Sequence, residues 1–91
     1  MLKVEYTAQF NRDLKLAIKR KKDMSALQQI MKKIEYEETL NPKLKDHPLI
    51  GNWKAHRELH VESDWLLIYK LLSEEKVVIF VRTGTHADLF K

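Results

Sequence analysis

An α+β fold is what this sequence predicts: an N-terminal strand and a helical hairpin packed on a mainly antiparallel four-stranded sheet. Two apolar stripes at helical spacing occupy the first half of the chain. Nearly continuous runs of Val, Ile and Leu occupy the second, and Asn41-Pro42 separates the two regimes. Helical and extended stretches segregated in this way give an α+β layer arrangement rather than alternating βαβ units. The 91 residues suffice for one modest core, so 1–91 is expected to be a single domain.

Each element has a local cause. Leu2, Val4 and Tyr6 alternate with Lys3 and Glu5, the pattern of a half-buried strand. Thr7 is a suitable N-cap, and Phe10, Leu14, Ala17 and Ile18 follow at helical spacing. Asp23 caps a second helix whose stripe is Leu27, Ile30, Met31 and Ile34, with an end expected near Leu40. Pro42 stops it, and Pro48 and Gly51 keep the next stretch irregular. Three strands are expected, from Trp53 to Val61, Trp65 to Leu72 and Lys76 to Arg82, with turns at Glu62-Ser63 and Ser73-Glu74-Glu75.

Composition narrows the function. With no cysteine, disulfide frameworks and thiolate chemistry are excluded, which is compatible with a cytoplasmic protein. No apolar run approaches the roughly 20 residues a membrane span requires. Met1 to Tyr6 alternates apolar and charged residues and lacks the apolar centre of a signal peptide. The net charge of +4 is unevenly placed: residues 1–45 hold 11 Lys and Arg against 6 Asp and Glu, and residues 46–91 hold 6 against 7. Lys19-Arg20-Lys21-Lys22 is the densest basic run and would attract a polyanion or an acidic protein segment.

Three short segments carry the chemistry: Lys45-Asp46-His47-Pro48-Leu49, His60-Val61-Glu62-Ser63-Asp64-Trp65 and Arg82-Thr83-Gly84-Thr85-His86. Imidazole exchanges protons near neutral pH, with a reference pKa of about 6.5. If Leu72 faces Lys76 across the last hairpin, antiparallel pairing puts Leu66 opposite Arg82 and Asp64 opposite Gly84. The preceding hairpin returns His60 beside Asp64. His60, Asp64, Arg82 and His86 therefore converge on one end of the sheet. A zinc site from His60, His86 and Asp64 is the metal alternative. His56 and His60 stand about 13 Å apart along a strand, too far to share an ion. His56 is expected on the strand face of Lys54, Glu58 and His60, as a surface histidine.

In order and spacing these segments resemble the YafQ-like branch of the RelE/ParE toxin superfamily. The similarity also takes in Lys21-Lys22-Asp23-Met24, Gly51-Asn52-Trp53-Lys54, Arg57, Ile68-Tyr69 and Leu89-Phe90, and so spans nearly the whole chain. Ser63 stands where proline is common, and His56 lies outside the pattern. The resemblance implies the RelE-like fold and a type II toxin, an endoribonuclease that cuts mRNA translated at the ribosomal A site. It also implies a DinJ-like antitoxin, often in a complex of two toxins with two antitoxins, with operator DNA reached only through that antitoxin. His47, His60, Asp64, His86 and Phe90 match the family's active-site positions, and Trp65 adjoins Asp64.

On this basis the candidate catalytic residues are His47, His60, Asp64, His86 and Arg82, and the candidate substrate-binding residues are Trp65, Phe90, Lys45 and Lys54. RNA cleavage by its own 2′-hydroxyl needs one proton removed, one donated and charge on the phosphate stabilised. His86 is the expected acid and His60 the base, oriented by Asp64. His47 assists, and Arg82 clamps the phosphate. No metal or other cofactor is expected. Two further readings use the same architecture: a ParE-like, non-nuclease inhibitor of DNA gyrase, and a small basic nucleic-acid-binding module.

Overall fold

The structure is a computed structural model that describes residues 1–90. Strand β1 (Lys3–Tyr6) leads into helices α1 (Ala8–Lys19) and α2 (Met24–Glu35). Strands β2 (His47–Pro48), β3 (Arg57–Glu62), β4 (Trp65–Leu72) and β5 (Val77–Gly84) follow, and a one-turn helix α3 (His86–Leu89) ends the described chain. The sheet order is β1-β5-β4-β3-β2. β1 runs parallel to β5, and the other pairs are antiparallel.

The α+β class holds, with five strands in place of the expected four. The added strand is the pair His47–Pro48, which aligns with Glu58 and Arg57 at the sheet edge. Proline is tolerated there because an edge residue need not donate to a ladder. Both helix starts follow their caps: the Thr7 hydroxyl accepts from the Phe10 amide at 2.9 Å and the Asp23 carboxylate from the Ala26 amide at 3.1 Å. The Thr7 hydroxyl also donates to the Val81 carbonyl at 2.7 Å, fixing α1 to the sheet.

α2 ends at Glu35, five residues before the expected Leu40. Glu37 adopts a left-handed backbone (φ 59°), and the Glu37 and Glu38 amides close onto the Ile34 and Lys33 carbonyls. Glycine usually marks this geometry, so a glutamate gave no warning of it. β3 begins at Arg57 and not at Trp53, because Gly51–Trp53 forms a 3-10 turn and Ala55 is left-handed (φ 72°).

β4 separates two apolar layers. Leu67 and Tyr69 join Leu59, Val78 and Phe80 under Phe10, Ala17, Leu27, Ile30 and Ile34 of the helices. Leu66 and Ile68 face the other way and pack with Leu89, Leu49, Trp53 and Val81. Coverage on both faces explains why β4 reads as a nearly continuous apolar run, broken only at Lys70. His60 pairs with Leu66 and Glu58 with Ile68, so both lie on the face away from the helical hairpin.

The β4–β5 register differs from the expected one by two residues. Lys76 belongs to the turn (φ 58°), so Leu72 pairs with Val77. A bulge at Val81 supplies the second step: Tyr69 pairs with Phe80, but Ile68 pairs with Arg82. Leu66 therefore faces Gly84 instead of Arg82. The two shifts together carry Asp64 from the level of Gly84 to that of His86.

Candidate active site

Asp64 and His86 form the closest pair of the site. Asp64 Oδ1 accepts the backbone N–H of His86 at 2.9 Å and lies 2.6 Å from its Nδ1. These two bonds hold the Asp64 carboxyl below the usual carboxylate range, backbone bond first and ring bond second. A carboxylate only accepts, so Nδ1 of His86 carries the proton and Nε2 is left for chemistry. The expectation that Asp64 orients His60 is thereby corrected: it orients His86.

His60 stands beside this pair, its ring centroid 5.8 Å from that of His86. Its Nδ1 lies 3.4 Å from the Ser63 carbonyl, and its Nε2 is on the side of Glu58. His47, on the edge strand, has Nδ1 3.1 Å from the Pro48 carbonyl. Between His47 and His60 sits Glu58, only 6% exposed. Its two carboxylate oxygens lie 3.9 Å from Nε2 of His47 and 3.9 Å from Nε2 of His60. Three imidazoles and two carboxylates thus share one sheet end.

Glu58 was missing from the candidate residues. Its place on the His60 face was legible from the period of two, but its burial was not, since that depends on β2 covering it. His47, Glu58 and His60 also offer ligand atoms within 4.8 Å of one another, a set able to hold a metal ion. The zinc set weighed from sequence, His60 with His86 and Asp64, is not the one assembled. His56 is not on the strand either: it lies in the preceding turn, its ring edge-on to Trp53 at 5.4 Å and its Nδ1 3.0 Å from the Lys54 carbonyl.

Two of the candidate residues are placed differently from expectation. Arg82 donates through Nε and Nη2 to Asp13 at 3.0 and 3.1 Å, so that edge of its guanidinium is filled by α1. Asp13 also accepts the Thr83 amide at 3.1 Å. Trp65 is 1% exposed, inside the helix-side core, and cannot stack on a base. Its indole N–H is buried and has no partner among the described residues.

The other substrate-binding candidates divide. Phe90 is 40% exposed, its ring 6.4 Å from His86 and 6.1 Å from Trp53. That leaves an aromatic surface next to the imidazoles. Lys54 is exposed at the end of the Gly51–Trp53 turn. Lys45 is left-handed (φ 54°) and borders a cavity of ≈ 670 Å³ with Asp46, Arg57 and Tyr69. Tyr69 packs on the helix side of the sheet, so Lys45 borders a cleft of the opposite face. There the Tyr69 hydroxyl donates to Asp46 at 2.8 Å, and burial followed by this bond raises its pKa.

The family described as the bacterial toxin of a type II toxin–antitoxin system, YafQ, matches residues 2–91. The chain is 50% identical over 88 residues to the mRNA interferase toxin YafQ of Escherichia coli strain K12, covering 96% of this chain and 94% of that one. It superposes on a crystal structure of the E. coli DinJ-YafQ complex with TM-score 0.90 and 49% identity, both chains covered in full. A metal-bound toxin from Helicobacter pylori gives TM-score 0.92 at 39% identity, over 99% of this chain and 100% of that one. With a matching family model along its length and a paired histidine site on the same fold, this chain belongs to the YafQ toxin family of type II toxin–antitoxin systems.

Proposed function

We propose that this chain is a ribosome-dependent mRNA interferase that cuts RNA through the substrate's own 2′-hydroxyl. The observation that carries the reading is the facing pair His60 and His86, with Asp64 bound to the far nitrogen of His86. Nε2 of His60 takes the 2′-hydroxyl proton, and the 2′-oxygen bonds to phosphorus. The bond from phosphorus to the 5′-oxygen breaks, and Nε2 of His86 delivers its proton to that oxygen. The products are a 2′,3′-cyclic phosphate and a 5′-hydroxyl. Asp64 stabilises the protonated His86 before transfer, as a carboxylate on the opposite ring nitrogen does.

Glu58 stabilises positive charge on His60 as it accepts the proton, and His47 shares the same carboxylate. Phe90 offers a face for a base, a contact that contributes about 1–3 kcal/mol. Arg82 remains with Asp13, so charge on the phosphate is met by the imidazoles and the exposed Lys54.

The partners in this reading are translated mRNA at the ribosomal A site, met in the cytoplasm, and a DinJ-like antitoxin in a heterotetramer; the likeness to the toxin of a DinJ-YafQ complex supports the antitoxin. Among the described residues no helix is long and apolar enough to cross a membrane. An acidic antitoxin segment fits the Lys19–Lys22 region, through Lys19 and Lys21 above all. Lys22 is already 3.7 Å from Glu62, and Arg20 is bound to Asp88.

The test is primer-extension mapping of translated mRNA with the native toxin and His86→Ala. Acid catalysis contributes about 10²–10⁴-fold, so a loss below about tenfold would remove His86 from the acid role. A message with deoxyribose at the cut site should stay whole.

A further inference from the structure

We propose that Arg20 and Asp88 are positioning residues for His86, a clamp between α1 and α3 that sets where the imidazole stands. The inference rests on the reading of His86 as the acid.

Helix α3 has four residues, and a single turn cannot persist by its own hydrogen bonds. Its place depends on what it is tied to. Leu89 is buried against Leu66 and Ile68, which seats the helix but does not fix its rotation. The N-terminal end is held by a capping box: the Asp88 amide donates to the Thr85 hydroxyl at 3.1 Å, and Asp88 Oδ2 accepts the Thr85 amide at 2.9 Å.

The same Oδ2 receives Nη1 of Arg20 at 2.7 Å, and Nη2 lies 3.4 Å from Oδ1. Arg20 is the C-cap of α1, 68 residues away in sequence. One carboxylate thus joins the α1 end to the backbone immediately before His86. Gly84 fits this closeness, since a Cβ there would meet Cβ and Oδ2 of Asp88 at 3.0 Å each. The Arg20 bond also holds the Asp88 carboxyl well below the usual range.

Arg20 comes from the basic run that the sequence offers as a polyanion contact, so the competing role is direct RNA binding. Charge separates the two. Arg20→Gln removes a cation, whereas Asp88→Asn removes an anion and would not weaken a purely electrostatic attraction to RNA. The clamp demands the same defect from both.

The experiment measures cleavage on programmed ribosomes with Arg20→Gln, Asp88→Asn, the double variant and Arg20→Lys, together with the His86 ring ¹⁵N shifts of the free toxin at one pH. A displacement near 1 Å can lower a rate by about 10²-fold. Each single variant should therefore lose about 10–100-fold in kcat with KM within about threefold, and move the His86 ring signals. The double variant should be no worse than the poorer single one, because both cut the same tie. Arg20→Lys should recover part of the rate. The pair is partly exposed, with side chains at 41% and 24%, so the fold should survive, as a thermal melt will show.

A raised KM with unchanged kcat for Arg20→Gln, or ring signals unmoved in both single variants, would overturn the clamp. Moved ring signals with undiminished cleavage would instead keep the clamp and remove His86 from the reaction, which separates this inference from the reading beneath it.

Discussion

Asp64 binds His86 twice through one oxygen, at the backbone N–H and at Nδ1, although 22 residues separate them. The contact fixes both the ring orientation and the tautomer. It predicts that Asp64→Asn keeps the fold and antitoxin binding, yet lowers cleavage by about 10²-fold or more, since an amide cannot hold an imidazolium in the same way. Single-turnover cleavage with purified ribosomes checks it. A loss under about threefold would mean that Asp64 has no part in the proton transfer.

Trp65 supplies a test of opposite sign. Its ring belongs to the core, and its N–H has no partner among the described residues. Trp65→Phe removes that unpaired donor, whose burial costs about 1–3 kcal/mol, while giving up ring area of similar worth. Cleavage should stay within about threefold, and urea unfolding should shift by less than about 2 kcal/mol. A large loss of cleavage in a stable variant would return Trp65 to the substrate.

Arg82 and Asp13 should behave as a structural pair. Asp13 is 7% exposed and also holds the Thr83 amide. Breaking a buried pair from one side costs about 3–5 kcal/mol, and the partial exposure of Arg82 places this pair at the lower end or below. Arg82→Gln should lower the melting temperature, with cleavage per folded molecule falling by less than about tenfold. Unchanged stability with abolished cleavage would restore the phosphate-binding role.

The pH response follows from Asp88. Its carboxyl is held low by Arg20 and by the Thr85 amide. A carboxyl whose pKa is depressed in the folded state contributes fully above its unfolded value of about 4 and loses that contribution as the pH falls through the folded value. The side-chain carboxyl ¹³C signal of Asp88 should therefore hold steady from neutral pH down to about 4 and move only in stronger acid. A titration of that carboxyl at or above about 4 would show that the clamp is not formed. Asp64 is shifted the same way, by the backbone N–H and the ring of His86.

Local rules settled much of this molecule in advance. Thr7 and Asp23 start helices because their side chains satisfy free amides one turn on, and the range of β4 follows from its apolar run. The gathering of His60 and His86 at one sheet end follows from turn lengths. Tertiary structure decided the partners. A strand's side chains alternate with a period of two, so each one-residue shift changes what every later residue meets. The left-handed Lys76 and the bulge at Val81 supply two such shifts without a glycine to announce them, and they give Asp64 to His86. The burial of Glu58 beside the edge strand β2 and the capture of Arg82 by Asp13, 69 residues away, likewise come from contacts between elements, which local pattern cannot encode.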